Sequence, residues 1–189
     1  LAARRRNTQM GDTRAIAEIL PELDVELCYG EDGTQRMLLN GEDVTLAIRY
    51  HEISAWASVV SAIPEVRAFL LEMQRKLARE HNVIMDGRDI GTVVLPDADL
   101  KIYLTAQPED RARRRYLELR ERGEPADEAQ ILQDVIARDR QDMERKVAPL
   151  RKAEDAVVAD TTGKSQEESF QYLLGIIRAH WKKFGRADA

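Results

Sequence analysis

The sequence has little of what metal, disulfide and membrane proteins need. Cys28 is its only cysteine, so neither an intrachain disulfide nor a multi-cysteine metal site can form, which fits a reducing cytoplasm. It lies in LDVELCY, whose alternation reads as a strand, and its expected role is inert packing. His51, His81 and His180 are the only histidines and show no HExxH-like spacing, which excludes that signature of metal-assisted hydrolysis. No apolar stretch approaches the roughly 20 residues that span a bilayer, and LAARRRNTQ lacks the apolar core of a signal peptide. No membrane role is expected, and the cytoplasm is the expected location. Nor is there an excess of positive charge. With 29 Lys and Arg against 34 Asp and Glu, the net charge is -5, which argues against a surface built chiefly to hold duplex nucleic acid or acidic membrane.

What is present fits one substantial domain with a small inserted lobe in 189 residues. Residues 12–20 pattern as a short amphipathic helix stopped by Pro21. LDVELCY, the turn-rich GEDG, TQRMLL, NGEDV and TLAIR then read as three short strands of an antiparallel lobe over 22–50. Helical patterning returns over 51–62 and 64–81, with Pro64 at a helix start and Val66, Phe69, Leu70, Met73 and Leu77 on one face as core. Apolar runs at 83–85, 100–104 and 156–159 follow, separated by segments that include helices. That alternation predicts an α/β fold, a parallel sheet with helices on both faces. No internal repeat or low-complexity tract interrupts it.

The run VIM (83–85) ends in Asp86-Gly87-Arg88-Asp89, an odd place for a buried strand to set two acids and an arginine. Ligands of open parallel sheets gather beyond the carboxyl ends of the strands. There Gly87 lets the backbone turn, Arg88 offers a planar fork for phosphate, and Asp86 or Asp89 can accept from a base, a sugar or metal-bound water. A solvated turn holding an internal Asp–Arg pair explains the tetrad equally well. Further on, Arg138, Asp142 and Arg145 are spaced i, i+4, i+7, and Arg111, Arg114 and Arg115 form a second cluster at i, i+3, i+4. Either several guanidiniums converge on one anion, or the helices carry a solvated face laced with salt bridges. Three arginine sources beside strand-end acids favour the first.

These residues carry a resemblance. MDGRDIGTVVLPDADLKIYLTA, RARRRYLELRERG and RDRQDMERKVAPLRKAEDAVVADTT, with LNGEDVTLAIR and HEISAWASVVSAIPEVRAFLLEMQR upstream, resemble the bacterial cytidylate kinases over nearly the whole chain. The resemblance implies a P-loop-kinase-type doubly wound parallel sheet with a three-stranded insert that binds the nucleoside monophosphate. It divides the chain into a core at 1–21 and 51–189, an insert at 22–50, and an arginine-rich lid at about 108–146. It implies transfer of the γ-phosphoryl of ATP to CMP or dCMP, with magnesium accompanying ATP, no nucleic-acid or membrane partner, and a monomer. By the same resemblance Ser58, Arg67 and Asp89 read the cytosine edge, and Arg88 and Arg145 bind the CMP phosphate. Arg138 and Asp142 face the ribose hydroxyls, Arg111 and Arg115 close over the transferring phosphoryl group, and Asp86 organises magnesium through water without a direct metal ligand. Gly123 and Pro125 lie between the two arginine-bearing helices, where a lid would turn.

One departure stands out. The family's glycine-rich loop, GxxxxGK(S/T), occurs nowhere in the sequence. Gly163-Lys164-Ser165 imitates its end, but Val158 stands where the earlier glycine belongs, and the segment is expected to be the loop before the C-terminal helix. The opening residues read as the tail of a helix. The expectation is therefore a chain that starts after the family's first strand and phosphate loop, and 189 residues that by themselves transfer no phosphoryl group. A non-catalytic relative that binds CMP or a protein partner is the alternative reading. An RNA-binding module is weaker, since no aromatic stacking motif accompanies the arginines.

Overall fold

The structure is a computed structural model that describes residues 1–183, apart from the side chains of residues 51, 54, 55, 58 and 183. It divides into two compact units, Leu1–Val83 and a second that starts at Ile84.

In the first unit, α1 (Ala2–Arg5) and α2 (Thr13–Ile19) precede a three-stranded antiparallel sheet. The carboxylate of Asp12 caps α2 by accepting from Ala15 N at 3.0 Å. Strands β1 (Val25–Tyr29) and β2 (Gln35–Leu39) pair with Leu27 opposite Met37. Asn40 and Gly41, at φ 51° and 79°, then make the left-handed two-residue turn that a tight hairpin requires, and β3 (Glu42–Asp43) returns along β2. The sequence pattern placed the third strand over TLAIR instead. The ladder stops early because Thr45 turns the chain: its N–H donates to Asp43 Oδ1 and its Oγ1 accepts from Met37 N. Residues Ala47–Arg49 consequently form a single tight helical turn. Helices α3 (His51–Val60) and α4 (Pro64–Glu80) complete the unit. Its core joins Ala3, Ile16, Ile19, Trp56, Ile63 and Val66, with Leu70 packed against it. Of the apolar face expected on α4, Val66 is buried, whereas Phe69, Leu70, Met73 and Leu77 are half-buried.

The second unit holds the parallel pair. β4 (Ile102–Thr105) runs beside β5 (Val157–Asp160), with Ile102 opposite Val157 and Thr105 opposite Asp160. Between them come α5 (Pro108–Glu121) and α6 (Glu128–Glu144), which pack on each other, and α7 (Gln166–Lys183) follows β5. Lys101 Nζ clamps the start of the pair by donating to both carboxylate oxygens of Asp155, at 2.9 and 2.7 Å. Residues 83–85 form no strand among the described residues, and Ile84 is 97% exposed. An apolar run becomes a strand only where a neighbouring ladder accepts its N–H and C=O groups. No described helix is long and apolar enough to cross a membrane.

Candidate nucleotide-binding site

Beyond residues 83–85 the backbone is wound tightly. The C=O of Asp89 accepts from Thr92 N, Val93 N and Val94 N at 3.3, 2.8 and 3.2 Å, and Leu95 N reaches Ile90 O at 2.7 Å. That wide turn, Ile90–Val94, is anchored by buried Val94. Ile90 also explains Gly87, because a Cβ there would stand 2.9 Å from Ile90 Cγ1. The result fixes the backbone of Asp89 and leaves Asp86 and Arg88 exposed. Asp89 itself is buried.

Onto this turn comes the end of α6. Arg88 Nε donates to Asp142 Oδ2 at 2.8 Å, and Arg145 Nη2 lies 3.6 Å from Asp89 Oδ1. Arg138, Asp142 and Arg145 do not all share a helical face: α6 ends at Glu144, and Arg145 is its extended C-cap with ψ 140°. The side chain is held from the following loop, where Ala148 O accepts from Arg145 Nε at 2.6 Å. The side chain is 17% exposed, and its Nη2 is buried without a hydrogen bond among the described residues. A buried arginine donor without a hydrogen bond can be satisfied by an incoming anion.

Helices α5 and α6 carry the second cluster. Arg111 donates through Nη1 to Asp139 Oδ1 at 3.0 Å and through Nη2 to Asp139 Oδ2, while its Nε donates to Ala106 O at 3.1 Å. The hydrogen-bonded Arg111 holds the Asp139 carboxyl well below the usual carboxylate range, and Arg88 and Arg138 act in the same direction. Arg115 pairs locally with Glu118 at 2.8 Å. Arg114 instead reaches the exit of β5, donating to Thr161 O at 2.6 Å and Lys164 O at 3.2 Å. The turn between the helices uses Gly123 at φ 72°, and Asp127 caps α6.

The structure therefore brings Arg88, Asp89, Asp142 and Arg145 together, and ties Arg111 to α6. Arg138 joins them only through the field it exerts on Asp139. Arg67, in the first unit, donates to Ser61 O at 3.4 Å. The side chain of Ser58 lies outside the described residues. Pattern reading missed Asp139, although its place within RDRQD, between Arg138 and Arg140, was the available signal. Gly163-Lys164-Ser165 proves to be a helix start: Ser165 Oγ accepts from Glu168 N at 3.2 Å while Glu168 Oε2 accepts from Ser165 N at 2.7 Å, a reciprocal cap on α7.

A family model described as cytidylate kinase matches residues 1–179. The chain belongs to the cytidylate kinase family. It is 51% identical over 170 residues to the cytidylate kinase of Caldicellulosiruptor bescii, covering 90% of this chain and 75% of that one. It is 46% identical over 171 residues to that of Carboxydothermus hydrogenoformans, covering 90% and 77%. A Streptococcus pyogenes cytidylate kinase is 47% identical over 163 residues, covering 85% and 72%. The mixed α/β architecture, a parallel pair plus a three-stranded antiparallel sheet, is consistent with the nucleoside monophosphate kinase fold. Membership makes the chain an ATP-dependent phosphotransferase by class, with nucleotide substrates.

Magnesium fits such a kinase only loosely on the protein side. Among the described residues no group of three or more His, Cys, Asp or Glu could hold a metal ion. Exposed Asp86 fits a single outer contact made through water, with the remaining oxygens belonging to nucleotide phosphates and solvent.

Proposed function

We propose that this chain binds CMP or dCMP as phosphoryl acceptor from ATP, using the residues assembled on the turn after 83–85 and on the two lid helices. The observation that carries the proposal is the buried, hydrogen-bond-free Nη2 of Arg145 beside Asp89, with Arg88 paired to Asp142 on the same turn. Arg145 and Arg88 hold the acceptor phosphate, and Asp142 and Arg138 take the ribose hydroxyls. Asp89, Arg67 and Ser58 answer the amino donor and the ring-nitrogen and carbonyl acceptors of cytosine.

Phosphoryl transfer asks the protein for alignment and charge neutralisation rather than covalent help. Arginine suits that task because it stays charged and presents a fork to phosphate oxygens. In this reading Arg111 and Arg115, on α5, exchange their present carboxylate partners Asp139 and Glu118 for the group in transit, neutralise it and exclude water, so that ATP is not hydrolysed. Asp86 would hold magnesium through water, and the ion would supply charge neutralisation at the phosphates of ATP. The core at 1–21 and 51–189, the insert at 22–50, the lid at about 108–146, a monomeric state and a cytoplasmic location belong to the same reading.

The test separates sugar from phosphate. Cytidine and CMP are titrated calorimetrically into the protein and its Asp142→Ala and Arg145→Ala variants. Arg145→Ala should weaken CMP by roughly tenfold or more and leave cytidine unchanged, since a charge-assisted contact to phosphate is lost. Asp142→Ala should weaken both ligands. Equal, small effects on both would leave the salt-bridged, solvated face as the better description.

A further inference from the structure

Arg111 is not available to a phosphoryl group in the arrangement observed. A guanidinium offers two two-pronged edges, one formed by Nη1 and Nη2 and one that includes Nε. Asp139 occupies the first with both carboxylate oxygens, and Ala106 O engages the second at Nε, 3.1 Å away. This pair differs in kind from Arg115–Glu118, which lies within one helix at i, i+3. Arg111 and Asp139 stand on α5 and α6, 28 residues apart in sequence, and the Asp139 side chain is only 25% exposed. Arg88 and Arg138 also act on Asp139. One carboxylate thus sits among three arginines, each of which the proposed function gives to the substrate.

We propose that Asp139 is a positioning residue for the lid arginine Arg111: in the free protein its carboxylate fills the two-pronged edge that an incoming phosphoryl group takes over. The inference rests on the proposed role of Arg111 in the lid. Asp139 keeps Arg111 extended across α5 and α6 rather than free in solvent, so that its ordering cost is met before the anion arrives. It also sets a threshold, because only a group with more charge than one carboxylate displaces it. A phosphoryl group carrying two negative charges qualifies, and chloride or acetate does not. Exchange of one anionic partner for another then couples occupancy of the lid to release of the α5–α6 link.

The experiment uses inorganic pyrophosphate as the anion and CMP as a separate probe. Binding is measured calorimetrically for the unaltered protein, Asp139→Asn, Asp139→Glu, Arg111→Gln and the Asp139→Asn/Arg111→Gln double variant. Asp139→Asn keeps size and one acceptor but removes the competing charge, so pyrophosphate should bind roughly three- to tenfold more tightly. The gain should vanish in the Arg111→Gln background, and Asp139→Glu should behave as the unaltered protein. A second reading needs no variant to fold differently: the Nε–H resonance of Arg111, identified by its loss in Arg111→Lys, should shift as pyrophosphate saturates the protein. Unchanged or weaker binding by Asp139→Asn, a gain that persists without Arg111, or an unmoved Arg111 resonance would each overturn the proposal. Failure of CMP to bind while the pyrophosphate results hold would count against the proposed function alone.

Discussion

Asp89 is the residue with most at stake. Its backbone carbonyl collects three N–H donors from the turn that follows, and its side chain is buried beside the unsatisfied edge of Arg145. A residue whose backbone is so fixed and whose side chain is buried suits the proposed role of discriminating between bases. Replacing Asp89 with Ala should weaken CMP by roughly 1 to 3 kcal/mol, the cost of stranding one buried polar partner. ATP affinity of an active form should stay unchanged. Parallel titration of the two nucleotides checks this, and equal losses for both would remove Asp89 from the base. At this scale the sequence was legible where chemistry is local. In the tetrad Asp86-Gly87-Arg88-Asp89, Gly87 was recognisable as a turn, although the packing of Ile90 that demands it was not. Asp139 escaped notice because its importance depends on which helix faces which. Alternating charges in RDRQDMERK look alike until α5 is laid against α6.

Among the elements, the α5–α6 pair, the proposed lid, is linked by side chains from both helices. Arg111 and Asp139 join its two helices, Gly123 supplies the left-handed turn between them, and Asp127 satisfies the first amides of α6. Because Asp139 has its pKa depressed on folding by Arg111, its stabilising contribution is complete above the unfolded carboxylate value of about 3.9. It is lost as pH falls through the lower folded value. Thermal melting of the unaltered protein and of Asp139→Asn should therefore differ at neutral pH, by about 1 kcal/mol for a partly exposed pair, and converge in acid. A difference that persisted at the lowest pH would mean that shape, not charge, makes the link. The same substitution is expected to loosen the lid and to tighten pyrophosphate. Element boundaries were readable where caps and breakers mark them, as at Pro64, Pro108 and Asp127. They were misread where a side chain ends a ladder: nothing in TLAIR reveals that Thr45 will accept from Met37 N and that Ala47–Arg49 will form a helical turn.

Taken whole, the chain belongs to the cytidylate kinase family, and the residues proposed for the acceptor phosphate and the lid lie in its second unit. Alternation of apolar runs with helices was enough to place β4 and β5 side by side, since parallel strands need a long crossover and α5 and α6 provide one. The same alternation could not say whether 83–85 finds a ladder, because pairing is a property of neighbours and not of the run itself. No GxxxxGK(S/T) stretch exists in the 189 residues, and the tempting Gly163-Lys164-Ser165 is committed to capping α7. The most direct measurement is calorimetric titration of the protein with CMP, UMP, AMP and GMP in one buffer. The account predicts saturable one-to-one binding of CMP, preferred over the purine nucleotides by roughly tenfold or more. Indifference among the four bases would contradict it.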